Sequence, residues 1–264
     1  MGSIWADMAE AIEVGAGGGR RVIQRDWVPE VPVALEFNGV AYAVMMATPA
    51  DLEDFAIGFA IAEALAADAG QVLDVGVAEV ENGWVVRTTI AGLGADILGE
   101  RVRTRVAESS CGLCGIENLE AVARPLPRVA AHQAIASTAI FRALATLRDH
   151  QPLGRSTGAA HAAAHAAYDG TLLCVREDVG RHNALDKLVG AQARAGMALG
   201  DGFILSTARC SYEIVEKAVR GGATTLVTVS LPTSMAVARA QAAGLSLWAL
   251  ARDDSVLMVT GPSE

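Results

Sequence analysis

From Thr171 onward the sequence repeats one grammar: an apolar run, a polar loop, a capped helical stretch and a closing glycine. Residues 171–176 lead through Glu177-Asp178-Val179-Gly180-Arg181-His182 into a helix ending near Gly196, and residues 203–207 lead through Arg209-Cys210-Ser211 into one ending at Gly221. Residues 225–230 lead through Pro232-Thr233-Ser234 into a third helix ending at Gly244, and residues 245–250 lead through 251–255 into a last strand, 256–260. Strands alternating with helices imply a largely parallel sheet covered on both faces. In such a sheet the loops after the strand carboxyl ends gather along one edge, where ligands bind. Here those loops supply Arg181, His182, Arg209, Ser211, Thr233, Ser234 and Arg252 together with helix N-termini. That combination suits an anion, above all the phosphate groups of a nucleotide-like ligand.

The first half reads differently. Residues 1–20 end in a glycine-rich run, a flexible lead-in with no strand before it and no helix after it, so not a dinucleotide fingerprint. Residues 21–106 form a small α+β unit. Residues 33–46 make two strands turned at Asn38-Gly39, and residues 72–80 and 84–90 make a second pair turned at Asn82-Gly83. Thr48-Pro49 announces a helix with Thr48 as N-cap, and Leu52, Phe55, Phe59, Ala62 and Leu65 give it a buried stripe. Residues 102–106 read as one more short strand. Residues 107–131 comprise a cysteine loop, a short helix and a linker whose alternating prolines, Pro125 and Pro127, block helix and central strand. The α/β domain occupies 132–264, opening with a helix over 135–150. Residues 159–168 are alanine-rich, but Asp169-Gly170 favours a hairpin there.

Ser109-Ser110-Cys111-Gly112-Leu113-Cys114-Gly115 holds two of the four cysteines. Glycines beside each give the loop backbone freedom, and a thiol just ahead of a helix N-terminus favours its thiolate. The C-x-x-C spacing fits a nucleophilic or sulfur-carrying cysteine and fits half of a structural zinc site equally well. Of the other two, Cys174 sits in an apolar strand as inert core, and Cys210 packs at a helix start.

Several chemistries are excluded. There is no phosphate-cradling G-x-x-x-x-G-K-[ST] loop and no G-x-S-x-G elbow. A zinc deaminase needs His-x-Glu ahead of Pro-Cys-x-x-Cys, whereas all five histidines follow Cys114 and no proline precedes Cys111. His161 and His165, four apart, read as exposed or core-edge residues rather than metal ligands. A net charge of −9 argues against nucleic acid as a partner. No run of about 18 apolar residues spans a membrane. With four cysteines and no basic, apolar start, a reducing cytoplasm is the expected setting.

Ser109 to Gly115, the string from Arg176 to Gly190 (REDVGRHNALDKLVG) and residues 206–217 closely resemble the formate dehydrogenase accessory sulfurtransferase family, FdhD. The likeness extends to residues 33–39, 48–63 and 157–161, and covers most of the chain beyond residue 20. It implies a cytidine-deaminase-like three-layer α/β sandwich without zinc chemistry, preceded by the small α+β domain, in a homodimer. It implies a sulfurtransferase acting through a cysteine persulfide, with Cys111 holding the sulfur and Cys114 assisting. Sulfur would pass from a cysteine desulfurase to the molybdenum of bis(molybdopterin guanine dinucleotide) before that cofactor enters formate dehydrogenase. A guanine nucleotide such as GDP would mimic this client. The family's cofactor-contacting segment corresponds to Leu250, Ala251, Arg252, Asp253, Asp254 and Ser255, joined by His182, Arg209 and Ser211 of the predicted edge. Relatives usually carry a glycine and a second basic residue in that segment, and a glycine at the position of Ala208. Two carboxylates near a pyrophosphate repel it unless they face a guanine edge or an arginine. The alternative function is a non-catalytic chaperone that binds the molybdenum cofactor and hands it over.

Overall fold

The computed structural model describes residues 7–106 and 125–261. Strands β1 (Asp7–Val14) and β2 (Arg20–Trp27) pair antiparallel as a separate two-stranded ribbon. This corrects the flexible lead-in: Gly15 to Gly19 is the turn of a hairpin, closed by the Gly15 amide on the Gly19 carbonyl at 2.9 Å. A four-stranded sheet follows, in the order β4-β3-β6-β5, from β3 (Val31–Phe37), β4 (Val40–Ala47), β5 (Val72–Val80) and β6 (Gly83–Ile90). Asn38 and Gly39 both take positive φ, 48° and 79°, the backbone that a two-residue hairpin demands. The second hairpin turns one residue earlier than its sequence suggests, on Glu81-Asn82, because Val80 pairs with Gly83. Gly83 then starts β6, where a Cβ would lie 2.3 Å from the Pro32 carbonyl oxygen.

Between this sheet and the rest of the molecule lies α1 (Leu52–Ala62), in which every residue but Glu53 is buried. A helix apolar all round belongs in an interior. Phe55 and Phe59 face the small sheet, where Phe59 stacks on Phe37 at 6.1 Å, while Ile57 and Ile61 face the other way. Thr48 does not cap this helix; Asp51 stands at its N-cap with φ 52° and no side-chain cap bond. Helix α2 (Ala95–Val106) replaces the strand expected at 102–106. A window of five residues alternating valine with polar residues cannot distinguish the two periods, and Leu98, fully buried, anchors the helical one.

Helices α3 (Ser137–Leu147) and α4 (Pro152–Thr157) precede a six-stranded sheet. Its order is β12-β11-β10-β9-β7-β8, from β7 (His161–Ala166), β8 (Leu172–Asp178), β9 (Phe203–Ser206), β10 (Thr225–Thr228), β11 (Ser246–Ala249) and β12 (Leu257–Thr260). Strands β9, β10 and β11 are mutually parallel; β7 runs antiparallel to both β8 and β9, and β12 antiparallel to β11. The carboxyl ends of β8 to β11 therefore share one edge. Helices α5 (Arg181–Arg194), α6 (Tyr212–Arg220) and α7 (Ser234–Ala243) cover one face, and Ile140, Ala143 and Leu147 of α3 cover the other.

The two halves meet where α1 crosses α5. Gly58 and Gly190 are the contact: a Cβ on Gly58 would lie 1.7 Å from the Asp186 carbonyl oxygen. Charge fastens the seam. The only two lysines of the chain, Lys187 and Lys217, are both interior. Asp178 accepts from Lys187 Nζ at 2.6 Å, the Thr48 amide at 3.0 Å, the Gly180 amide at 2.7 Å and Asn183 Nδ2 at 3.0 Å. Asp54 is held by Arg176 and Arg194 at 2.8 and 2.7 Å. Lys217 reaches both oxygens of Asp186 at 2.9 Å and lies 5.2 Å from the Phe59 ring centroid.

Burial pushes the Asp186 carboxyl up from 3.8 to about 6, against the opposing pull of Lys217. The folded state thus holds this proton more tightly than the unfolded chain. The stabilisation tied to it is complete below about pH 4 and is lost as pH rises through about 6. Asp186→Asn is expected to flatten that interval. Urea midpoints compared across it should show the unmodified chain losing stability relative to the variant as pH rises; parallel curves would contradict the assignment.

Candidate functional site

The carboxyl edge assembles from four loops. The loop after β8 enters α5 at Gly180, which places Arg181 and His182 in its first turn. Asp178 fixes this turn by taking the Gly180 amide and Asn183, so the Arg181 and His182 side chains stand on a rigid base. The loop after β9 carries exposed Arg209 and buried Cys210, then Ser211 as the N-cap of α6. It is tied to the next loop by the Thr233 amide on the Cys210 carbonyl at 3.0 Å. Thr233 spends its hydroxyl capping α7, accepting from the Ala236 amide at 3.2 Å. After β11, Leu250 takes a left-handed φ of 50°, a strained backbone for a branched side chain. The Ala251 amide on the Thr228 carbonyl at 3.1 Å holds it, and Ala251 is buried.

Three groups here have donors to spare. Ser211 has the extended backbone of an N-cap but makes no cap bond, and its Oγ is buried without a partner. Arg181 Nε is likewise buried and unpartnered. Neither Arg181 nor Arg209 makes an ion pair or hydrogen bond with a described residue. His182 Nε2 lies 3.2 Å from Glu213 Oε2, an ion-pair distance without hydrogen-bond alignment. His182 holds the Glu213 carboxyl below the usual range.

Sequence reasoning missed His161. Because β7 is antiparallel to its neighbours, its first residue pairs with Asp178 and falls on this edge. Burial, then Arg181 and Arg209, disfavour its charged form, while Asp178 opposes them. It is half-buried and neutral near pH 7. Only the strand order could have revealed it. His165, four residues on, is fully buried, not exposed or at the core edge. In a strand the two are about 13 Å apart, too far to share one metal ion.

Of the predicted contacting segment, Arg252 turns Nη1 onto the carbonyls of Val229 and Ala251. It therefore secures the loop. Asp253, Asp254 and Ser255 are exposed. Cys210 is fully buried and its thiol is pushed up to about 11 by burial, so it is inert packing. Cys174 is half-buried and packs against the main core cluster, with its sulfur 3.4 Å from Arg176 Nη1. Cys111 and Cys114 lie outside the described residues. Two clefts, of about 530 and 230 Å³, open elsewhere: Ala193 lines both, far along α5 from Arg181. Neither holds a residue of this edge.

The model of the FdhD/NarQ family matches residues 28–264. The chain belongs to this family. It is 45% identical over 239 residues to a protein of Variovorax paradoxus named sulfur carrier protein FdhD, covering 90% of this chain and 86% of that one. A protein of the same name from Bordetella petrii is 40% identical over 259 residues, covering 97% and 93%. A solved formate dehydrogenase accessory protein from Desulfotalea psychrophila superposes with a TM-score of 0.76 at 22% identity, over 98% of both chains, which shows the shared fold. Within this FdhD/NarQ chain, the string from Arg176 to Lys187 divides in two. Arg176 bonds α1, Asp178, Asn183 and Lys187 bond Met46 and Thr48 just ahead of it, and Arg181 and His182 stand in the first turn of α5 at the edge.

Proposed function

We propose that this chain is a sulfur carrier required for formate dehydrogenase activity, moving sulfur from a cysteine desulfurase to the molybdenum of bis(molybdopterin guanine dinucleotide). The observation that carries the ligand half of this reading is that Arg181 and Arg209 make no ion pair, and the Ser211 hydroxyl no hydrogen bond, with a described residue, in a chain of net charge −9. A cofactor carrying pyrophosphates is the substrate such an edge fits. The relatives named sulfur carriers support the transfer half. Cys111, as thiolate, attacks the outer sulfur of the donor persulfide; the donor's S–S bond breaks and its cysteine leaves as thiolate. Cys114 then attacks Cys111, so sulfide departs toward the bound molybdenum cofactor and the two cysteines are left as a disulfide. An external thiol reduces that disulfide. The chain works in the cytoplasm as a homodimer on a deaminase-like sandwich. No helix among the described residues is long and apolar enough to cross a membrane.

The test loads the purified chain with a cysteine desulfurase and cysteine, then weighs the intact protein. The unmodified chain is expected to gain one sulfur, and Cys111→Ala none. A Cys111→Ala chain that still gains the sulfur would refute the assignment.

A further inference from the structure

Two ion pairs between α5 and α6 stand one helical turn apart, like rungs. The upper rung is at the carboxyl edge, where His182 Nε2 lies 3.2 Å from Glu213 Oε2. The lower one is interior: Lys217 Nζ meets both oxygens of Asp186 at 2.9 Å, and Asp186 is 1% exposed. His182 and Asp186 are one turn apart on α5, as Glu213 and Lys217 are on α6, so each helix presents its two charges on one face. Glu63, just past the end of α1, also stands 3.6 Å from Lys217.

The two rungs are held unequally. His182 Nε2 is buried and makes no aligned hydrogen bond, so charge alone keeps it at Glu213. Lys217 has a competing acid on its own helix, because a glutamate one turn N-terminal to a lysine is the favoured order for a helical ion pair. His182 is the main cause of the lowered Glu213 carboxyl, and Lys217 and Arg181 add to it. Asp186 is faced by Lys217 from α6, by Glu63 from the end of α1 and by His182 from its own helix. Burial outweighs their combined effect and brings its carboxyl up to about 6, where it changes charge under mild conditions. Three carboxylates thus share one lysine, and a proton on Asp186 removes the one that Lys217 meets at two oxygens.

We propose that the lower rung governs the upper one, which makes Asp186 and Lys217 positioning residues for His182. While Asp186 is ionised it keeps Lys217, and Glu213 is left to hold the imidazole. When Asp186 takes a proton from solvent, Lys217 draws Glu213 along α6 and His182 is released at the edge. Side-chain rotation suffices, since each exchange lies within one helical turn. The consequence for binding rests on the anion site assigned above: a released His182 is one more donor for the anion.

Calorimetric titration of the full chain with inorganic pyrophosphate, at a pH above the Asp186 transition, tests it. Asp186→Asn, which fixes the neutral form, is expected to bind about tenfold more tightly than the unmodified chain, the worth of one hydrogen bond to a charged group. Glu63→Gln takes the same charge from beside Lys217 but leaves Asp186 in place, so its affinity should be unchanged. Were Asp186 a merely structural contact, its replacement would weaken binding or leave it unaltered, and either result overturns the proposal. Equal tightening in Glu63→Gln overturns it too, because net charge would then explain both. Thermal melts verify folding. Carbon NMR of the Glu213 carboxyl gives a second reading without any ligand. In the unmodified chain its signal should move as pH falls through about 6. That movement should be absent from Asp186→Asn and shifted to lower pH in Glu63→Gln, since Glu63 raises the Asp186 carboxyl. A Glu213 signal that follows pH alike in all three chains sinks the coupling. Should Asp186→Asn unfold, the shift in Glu63→Gln decides. Should pyrophosphate bind to none of them, the anion reading of the edge fails and the NMR result still decides this one.

Discussion

Lys187→Met is expected to cost about 3–5 kcal/mol of folding stability, because it strips a fully buried carboxylate of its counter-charge. Lys187 and Asp178 have no exposed side-chain surface and lie 2.6 Å apart. The lysine also donates to the Thr48 carbonyl at 3.0 Å, so its loss breaks the tie between the strand before α1 and the start of α5. Against a typical total of about 5–15 kcal/mol, such a loss removes a large share of the stability. Equilibrium urea unfolding measures it, with Arg87→Ala as the reference. The Arg87–Glu36 pair is also within hydrogen-bond distance, at 2.9 Å, but its side chains are 64% and 27% exposed. Removing it should cost no more than about 1 kcal/mol. If the two variants unfold at the same urea concentration, the seam is not what holds the halves together. The functional consequence follows from geometry: Asp178 orients Gly180 and Asn183, so a chain that survives Lys187→Met should hold Arg181 and His182 less firmly.

Gly58→Ala is expected to destabilise the chain by about 3 kcal/mol or more, at the upper end for overpacking. The added methyl would meet the Asp186 carbonyl oxygen at 1.7 Å and the Gly190 amide nitrogen at 2.7 Å. These are backbone atoms of α5 and cannot rotate aside, so the helices must separate along the contact that joins both sheets. The same change at Gly99, inside α2, meets no described atom within 4 Å. There it should stabilise by about 0.5–1 kcal/mol, from helix propensity. Thermal unfolding of the two variants should therefore shift in opposite directions. Shifts of the same sign would show that the helix crossing tolerates more than its spacing allows.

Much of the fold was legible in the sequence because its signals are local. The alternation of apolar runs with capped helices from β8 to β12 stands where the spacing put it, and so do the hairpins at Asn38-Gly39 and Asp169-Gly170. Besides the lead-in, whose glycine run hid the turn between β1 and β2, the misreadings were short windows. Five residues at 102–106 fit two periods, and Thr48 has the chemistry of a cap but donates its hydroxyl to the Pro29 carbonyl at 3.1 Å instead. The residues of the edge were half legible: the loops carrying Arg209, Ser211 and His182 follow from the strand and helix pattern, but the position of His161 does not, since it depends on β7 lying between β8 and β9.

By itself the sequence determined the order of the elements from β8 to β12 and the family, both of which follow from patterns along the chain. Only the tertiary structure decided which charges are spent and which are left over. Arg176 meets Asp54 from 122 residues away and Lys187 meets the Thr48 carbonyl from 139, whereas Arg181 and Arg209 meet no described acid in an ion pair. Neutralisation falls off over a few ångströms, and which groups come that close is settled by packing between distant segments, where no local pattern reaches.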